Sequence, residues 1–398
     1  MATMASPATA TRTFWMLAAA GGAVLAAALG AAHYMEEHGH IVTGMSNQVV
    51  WGMPHVFAIF LIVAASGALN VASIGSVFGE SAYKPFSPLS VLLTVALLAG
   101  GLMVLVLDLG RPERLVVAAT HYNFRSIFAW NMILYNGLFV ICALYLWSLL
   151  ERRLNALAKP VGLAAFAWRI ILTTGTGSIF GFLVSRQAYA SGVIAPLFIA
   201  LSLAWGLAVF HLAQCGFARL SGVAMSDELQ GRVRRLLGIF VIAALYFVAV
   251  HHVTNLYWAK QAAFERFILA DGAPYPLLFW AGFVGLGSAA PLALVFHPRL
   301  AGPRSTALAA ALVALGGLAF LYVFIIGGQV FPLEIFPGYE VKSAFHDGQV
   351  GAYVPSLAEL LLGVGGLAAS FLIALAGARA LPILPREEVA TAAAAPAK

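Results

Sequence analysis

The sequence predicts an all-helical integral membrane protein with about ten transmembrane helices and both termini in the cytoplasm. Of its 398 residues, 62% are hydrophobic and 10% are charged, and the mean hydropathy is +0.92. Soluble domains carry about 45–50% apolar and about 25% charged residues, because their surfaces need polar cover. Lipid must therefore contact much of this surface, which excludes soluble, disordered and disulfide-scaffold proteins.

Ten apolar stretches are long enough to cross a bilayer, which takes about 20 residues in a helix. They comprise residues 14–33, 55–78, 88–107, 126–150, 162–184, 193–214, 236–258, 276–296, 306–328 and 355–377. The first could be a signal peptide, but its apolar run of about 19 residues exceeds the usual about 7–15, which favours a retained helix. Residues 1–388 are predicted to form one polytopic membrane domain, and the Ala/Pro-rich residues 389–398 a disordered tail.

The loop charges predict the orientation, because cytoplasmic loops are enriched in Lys and Arg. With the N-terminus inside, 15 of the 22 Lys and Arg residues fall in inner segments and 7 in outer segments. The formal charge of +6 then reflects membrane topology. Nucleic-acid binding is not expected, since the basic residues form no groove-sized cluster. We predict a multi-pass protein of the inner (cytoplasmic) membrane.

The sequence gives no indication of a resident metal. Cys142 and Cys215 lie in or beside apolar runs. No CxxC or CxxCH motif occurs, so we expect neither an Fe–S cluster nor a c-type haem on this polypeptide. The segment His33-Tyr-Met-Glu36-Glu37-His38-Gly-His40 matches no zinc spacing and is interpreted as a solvated loop. No metal site is predicted.

The loop after the third stretch carries an unusual set of charges. It reads Asp108-Leu-Gly-Arg111-Pro-Glu-Arg114, on the predicted outer side. Gly110 and Pro112 set a fixed turn. Asp108 lies at the membrane boundary, close enough in sequence to pair with Arg111. Ionisable groups at this depth are costly and mark functional sites, although an interfacial ion pair at a helix end would have the same sequence.

Other polar residues share this predicted outer depth: His33, His55, Asn131, Tyr135, His251, His252 and Glu359. Only one residue of the adjacent histidine pair can face a given pocket, because neighbours on a helix point about 100° apart. Histidines on facing helices can ligate haem b, an alternative that the sequence leaves open.

At the turn Asp108-Leu-Gly-Arg-Pro112, the protein resembles the NrfD/PsrC family, the polysulfide-reductase-type membrane subunits of respiratory complexes. The other matching segments are Trp51-Gly-Met-Pro-His55-Val-Phe-Ala-Ile-Phe60, Ser66-Gly-Ala-Leu-Asn70-Val-Ala-Ser-Ile74 and Thr120-His-Tyr-Asn-Phe-Arg125-Ser-Ile-Phe-Ala-Trp130-Asn131. The resemblance extends over all ten stretches. Within the family, the sequence is most similar to DsrP, the ten-helix subunit of the DsrMKJOP complex.

The resemblance implies a quinone-interacting subunit of a respiratory electron-transfer complex in dissimilatory sulfur metabolism, which would not be an enzyme on its own. It implies a periplasmic ferredoxin-like Fe–S partner, further membrane and cytochrome subunits, and no redox metal on this polypeptide. The quinone, menaquinone or ubiquinone, would bind in the first helical bundle beside the matched turn. Asp108 and Arg111 are carried over on that basis as quinone-binding residues.

His55, Asn131 and Tyr135 join this candidate site because of their depth and residue type. Quinone chemistry needs an apolar slot, hydrogen-bond donors at the carbonyl oxygens and a group that exchanges protons. His55 is predicted to donate to a carbonyl and relay a proton, since imidazole titrates near neutral pH. Asp108 would hold or pass a proton, so these two residues form the predicted catalytic pair. Asn131 and Tyr135 would orient the head group.

Three other functions stay open at this point. Proton- or ion-coupled transporters also have many helices and midplane polar residues, although the ionisable residues here crowd the outer boundary. A haem b cytochrome would give a reduced haem band in the absorption spectrum of the purified subunit. A simple membrane anchor for redox partners would bind no quinone.

Overall fold

The computed structural model describes residues 7–221, 225–333, 339 and 348–383, so the predicted tail at 389–398 lies outside the described residues. Ten helices in these ranges are long and apolar enough to cross a membrane. They are α1 (Thr11–His38), α2 (Met53–Ser76), α3 (Ser81–Leu107), α4 (Ile127–Leu150), α5 (Arg152–Gly181), α6 (Ile194–Arg219), α7 (Asp227–Tyr257), α8 (Tyr275–Phe296), α9 (Pro303–Val330) and α10 (Leu357–Ala380). Each overlaps one predicted stretch. The prediction is confirmed: the protein is an all-helical, multi-pass integral membrane protein.

Local sequence sets several helix starts. Pro54 lies in the first turn of α2, where its missing N–H costs nothing because those N–H groups have no helical partner. α7 begins after Ser226, whose side chain accepts a hydrogen bond from the backbone N–H of Leu229. α10 begins with a capping box formed by Ser356 and Glu359.

The helices form two groups of four that share a long contact. The first group is α2–α5 and the second is α6–α9; α2 packs along α6, and α9 packs against both. α1 and α10 pack against each other, and α10 also contacts α2 and α3. α2 is almost wholly buried, whereas most of α1 is exposed on the outside of the bundle. The centre of the fold therefore lies at the α2–α6 contact.

Two glycines allow this close approach. A Cβ on Gly67 of α2 would collide with the backbone carbonyl of Ser202 in α6, and a Cβ on Gly206 would collide with the backbone at Gly67. Small residues at such crossings let two membrane helices pack backbone to backbone.

We expect Gly67→Ala to destabilise the protein by about 1–3 kcal/mol, because the added methyl has no space between two backbones. The measurement is the midpoint of thermal unfolding of the purified protein in nanodiscs. Gly22→Ala is the matched control, since a Cβ there meets no atom within 4 Å. Equal midpoints for the two variants would contradict the predicted packing.

One membrane face carries the predicted site. Consecutive helices alternate in direction, so one face holds the loops that precede α2, follow α3, and join α5 to α6, α7 to α8 and α9 to α10. We call it the site face. The start of α1 and the end of α10 lie on the opposite face. The cytoplasmic assignment of that opposite face depends on the Lys and Arg distribution and stays a prediction.

Candidate functional site

A cavity of about 500 Å³ opens on the site face between the α1–α2 loop (residues 39–52) and the end of α3. Its lining residues are His40, Ile41, Met45, Ser46, Asn47, Val50, Trp51, His55, Asp108, Leu109 and Gly110. Sites for small organic ligands have volumes of about 300–1,000 Å³ and combine apolar walls with a few polar groups. The volume lies in this range, and the lining combines apolar residues with five polar side chains, those of His40, Ser46, Asn47, His55 and Asp108.

His55 and Asp108 meet at the wall of this cavity. His55 lies in the first turn of α2 and Asp108 directly follows α3, so the antiparallel packing of the two helices brings them together. Nδ1 of His55 lies 2.9 Å from Oδ2 of Asp108. The Asp108 side chain is 1% exposed, whereas that of His55 is 20% exposed. The structure thus joins the two residues of the predicted catalytic pair.

The pair retains unused hydrogen-bonding capacity. Oδ1 of Asp108 is buried and accepts no hydrogen bond from any described residue. Nδ1 of His55 is close to the carboxylate but is not aligned to form a hydrogen bond with it. Buried polar atoms normally have a partner. Oδ1 can therefore accept one further hydrogen bond.

Trp51 provides a flat apolar wall next to the pair. Its ring is stacked on the imidazole of His55, with 5.9 Å between the ring centroids and 22° between the planes. The edge of the same indole meets Phe180, at a centroid distance of 5.5 Å. Trp51 therefore fixes the His55 ring from one side and offers a planar surface to a ligand.

Arg111 lies apart from this pair. It is exposed and does not line the cavity, and within the described ranges the ion-pair partner of Asp108 is His55. The backbone leaves α3 after Leu107 and enters a short 3₁₀ turn at Pro112–Arg114 on the surface. The proximity of Arg111 to Asp108 in sequence therefore does not produce an ion pair.

Asn131 and Tyr135 face the neighbouring helix α5. The amide nitrogen of Asn131 donates to the carbonyl oxygens of Ile127 and Gly175, at 2.9 and 3.0 Å. The hydroxyl of Tyr135 lies 3.3 Å from that of Thr176. Both residues join α4 to α5, and neither lines the cavity.

Most of the histidines that were predicted to lie at the outer depth have a carboxylate partner. His33 lies 3.3 Å from Glu37 on the exposed side of α1. His40, in the segment interpreted as a solvated loop, instead lines the cavity together with His55. No spacing pattern indicated His40, because its position depends on how the α1–α2 loop folds over α3. In the described part of the protein, no group of three or more His, Cys, Asp or Glu side chains could hold a metal ion.

The α1–α2 loop is held from the second helical group by Gln329 of α9. The side-chain oxygen of Gln329 accepts from the backbone N–H groups of Val50 and Trp51, at 3.0 and 2.9 Å. Its amide nitrogen donates to the carbonyl oxygens of Trp51 and Ile325, at 2.9 and 3.0 Å. All four hydrogen-bonding positions of this buried amide are used. Gln329 therefore fixes the backbone of Trp51.

Arg186, between α5 and α6, strengthens the same link. Its guanidinium donates to the carbonyl oxygens of Gln329 and Gln48, at 3.0 and 2.8 Å. Burial lowers the pKa of Arg186, yet arginine stays protonated at neutral pH. The cation therefore holds together two segments that lie far apart in sequence.

We expect Gln329→Leu to lower thermal stability and to weaken ligand binding in the cavity. The substitution leaves part-buried backbone groups of Val50 and Trp51 without partners, and each unsatisfied group costs up to about 1–3 kcal/mol. Thermal unfolding and ligand titration of the purified protein measure both effects. Gln349→Leu is the control, because the Gln349 side chain is exposed. Similar behaviour of the two variants would contradict the role of Gln329.

A second anchor of the loop is Glu359, which is 0% exposed. Its Oε2 accepts from the backbone N–H groups of Gly44 and Ser356, both at 2.8 Å. Its Oε1 accepts from the hydroxyl of Tyr353 at 2.7 Å, and that hydroxyl accepts from the N–H of Met53 at 2.5 Å. One carboxylate thus joins α10, the α1–α2 loop and the start of α2.

Burial, together with the adjacent carboxylate of Glu359, raises the pKa of Tyr353. The Tyr353 hydroxyl therefore stays neutral and remains a donor to Glu359 at neutral pH. The sequence indicated the depth of Glu359 but not its partners.

A family model described as "Polysulphide reductase, NrfD" matches residues 41–333, most of the sequence. The chain belongs to the NrfD polysulphide reductase family. The matched range contains nearly all of the cavity lining, including His55 and Asp108. The resemblance noted at the turn Asp108–Pro112 is thereby confirmed at the level of the family.

Named relatives of this NrfD-family protein match it over long ranges. It is 31% identical over 368 residues to the Hdr-like menaquinol oxidoreductase integral membrane subunit of Archaeoglobus fulgidus, an alignment that spans 91% of this protein and 92% of the relative. It is 28% identical over 398 residues to a Halobacterium salinarum protein provisionally named as a membrane subunit of dimethyl sulfoxide reductase, with 90% and 89% coverage. Protein NrfD of Escherichia coli is 25% identical over 313 residues, with 71% and 96% coverage. The narrower resemblance to DsrP stays a prediction.

Proposed function

We propose that this NrfD-family protein is the quinone-interacting membrane subunit of a multi-subunit respiratory oxidoreductase, with its quinone site in the cavity at His55 and Asp108. The observation that carries this proposal is the buried, unpartnered Oδ1 of Asp108 at the wall of a cavity large enough for a quinone ring. A quinol hydroxyl is a donor of the required kind. The name of the Archaeoglobus relative supports menaquinol as the substrate.

The shape of the site also suits a ring with an isoprenoid tail. The ring would lie against Trp51 in the larger cavity. A second cavity of about 140 Å³ shares His40, Leu109 and Gly110 with the first and is also lined by Leu29 and other residues of α1. Because α1 is largely exposed on the outside of the bundle, this second cavity offers the tail a route to lipid.

The proton chemistry follows from the His55–Asp108 pair. Oxidation of a quinol releases two electrons, which leave for the partner subunit, and two protons. Oδ1 of Asp108 accepts a hydrogen bond from one quinol hydroxyl and takes its proton, and the proton of the other hydroxyl leaves to water at the open side of the cavity. Rotation of the carboxyl group and of the His55 ring would align the proton on Asp108 between Oδ2 and Nδ1, which lie 2.9 Å apart. The partly exposed His55 then takes the proton at Nδ1 and releases one from Nε2 to water at the site face. Quinone reduction uses the same residues in reverse. The quinone supplies the redox chemistry when bound.

The proposal includes the partners that the sequence resemblance implied. The electron partner would be a periplasmic ferredoxin-like Fe–S subunit on the site face, beside further membrane and cytochrome subunits of a sulfur-metabolising complex. Two of the relatives are named as membrane subunits of a reductase and an oxidoreductase, which supports a multi-subunit assembly. Arg111, Asn131 and Tyr135 remain proposed contributors that act from outside the cavity lining.

Photoaffinity labelling with an azido-menaquinone analogue tests the site directly. We expect labelled peptides from the α1–α2 loop and from the end of α3, and we expect unmodified menaquinone to compete with the label. Labelling that is confined to the lipid-facing surfaces of α4 or α8, or that menaquinone does not reduce, would overturn the assignment of the cavity.

A further inference from the structure

A second cluster of buried polar side chains lies on the site face, in the second helical group. It is formed by the end of α7 and the short helix Ala259–Arg266 that follows it. Its members are His251, His252, Asn255, Gln261 and Glu265. All except His252 are 3% exposed or less. None of them lines the proposed quinone cavity.

Glu265 is at the centre of this cluster. Its Oε2 lies 2.6 Å from Nδ1 of His252, and its Oε1 accepts from the amide nitrogen of Asn255 at 2.7 Å. The same amide nitrogen lies 3.3 Å from Nε2 of His251. Throughout the described ranges, His252 is the only ion-pair partner of Glu265. The carboxylate charge is therefore balanced only when His252 carries a proton.

The other titratable groups near this cluster point elsewhere. Arg266 lies 3.6 Å from Asp271, and both side chains are exposed, as is Lys260 on the same short helix. The Tyr189 hydroxyl donates to carbonyl oxygens of α9, and burial raises its pKa, so it stays neutral. Tyr275 and Tyr322 stack on each other, with 6.2 Å between ring centroids. No described lysine or arginine pairs with Glu265.

The cluster has spare hydrogen-bonding atoms. Four buried atoms have no partner among the described residues: Nδ1 of His251, Nε2 of His252, Oδ1 of Asn255 and Oε1 of Gln261. Gln329, which holds the α1–α2 loop, has no such atom, as expected of a structural contact. A buried network with free donors and acceptors around a carboxylate can bind water and conduct protons.

Three π-helical segments surround the cluster. The first, Phe267–Asp271, begins two residues after Glu265. The second includes Phe279, whose ring meets His252 edge-on at 4.8 Å, and the third includes Phe324, which lies 6.2 Å from His251. Wide π-helical turns occur frequently at functional sites. Their position here is a second, independent indication of function.

We propose that His252 and Glu265 form a proton-exchanging site in the second helical group. An uncompensated negative charge at this depth is costly, so a proton on His252 or on Glu265 stabilises the pair. The proton moves between Nδ1 of His252 and Oε2 of Glu265: one N–H bond breaks as one O–H bond forms. Nε2 of His252 is buried and has no partner among the described residues, so it is the atom at which the pair would exchange this proton with a bound water. The proposal is independent of the quinone site.

Infrared difference spectroscopy tests this proposal on the purified full-length protein in nanodiscs. Spectra are compared between about pH 5 and about pH 8, the range in which a histidine charge changes. We expect carboxyl and imidazole bands in the wild-type difference spectrum that are lost in Glu265→Gln and in His252→Gln. Thermal unfolding shows whether each variant folds. If one of the two does not fold, the other alone tests the proposal.

Asp271→Asn is the matched control, because it removes an exposed carboxyl from the same loop region. We expect it to retain the bands of the cluster. Difference spectra that are the same in the wild type and in both cluster variants would overturn the proposal and identify a fixed hydrogen-bond network. Because none of these residues lines the quinone cavity, this result would leave the quinone site untouched.

Discussion

Asp108→Asn is expected to lower quinol-dependent electron transfer by at least about 100-fold, the usual contribution of a positioned acid or base. The amide has the shape of the carboxylate but does not accept a proton. His55→Ala is expected to lower the rate in the same way, since it removes the route from Asp108 to water. The measurement is the rate at which the assembled complex oxidises a soluble menaquinol analogue.

The test requires that the complex still assembles with each variant, and size-exclusion chromatography shows whether it does. Asp271→Asn is the matched control, because it makes the same change at an exposed carboxylate on the site face. Asp108→Asn and His55→Ala variants that turn over at the wild-type rate would refute the proposed mechanism.

Glu359→Leu is expected to cause the largest loss of stability among the substitutions considered. It leaves the N–H groups of Gly44 and Ser356 and the hydroxyl of Tyr353 without their acceptor. Each unsatisfied buried group costs about 1–3 kcal/mol, which is large against the total of about 5–15 kcal/mol typical of folded proteins. The yield of folded protein and the midpoint of thermal unfolding measure the loss.

Glu359→Gln is the graded comparison, because its side-chain carbonyl can still accept from the two backbone donors. We expect a smaller loss than for leucine. Glu113→Leu, at an exposed position, should leave the midpoint near that of the wild type. A Glu359→Leu protein as stable as Glu113→Leu would show that the carboxylate does not anchor the loop.

The positions of the ten helices could be predicted because the length of an apolar run fixes whether a helix crosses the membrane. The residues at which the helices begin and end could not be predicted in this way. α7 was predicted at 236–258 but begins at Asp227, since its first turns are polar and Ser226 caps them. α5 was predicted at 162–184 but spans Arg152–Gly181. Hydropathy detects the part of a helix that contacts lipid, whereas capping and hydrogen bonding decide where the helix starts.

Only part of the candidate site could be predicted from the sequence, for a related reason. Asp108 was predicted from the family resemblance, and His55 was predicted from its depth and residue type. Depth alone did not reveal that Asn131 and Tyr135 face α5. Gln329 was missed because its partner Val50 is 279 residues away in the sequence. Contacts of that range leave no pattern in the sequence.

The two anchors of the α1–α2 loop have a consequence for biogenesis. Gln329 belongs to α9 and Glu359 to α10, so both anchors are synthesised after α1–α8. A nascent polypeptide that ends after α8 contains both His55 and Asp108, but it lacks Gln329, which holds the backbone of Trp51. The wall of the cavity is therefore completed only after α9 and α10 have been synthesised, so a shorter polypeptide lacks a competent site.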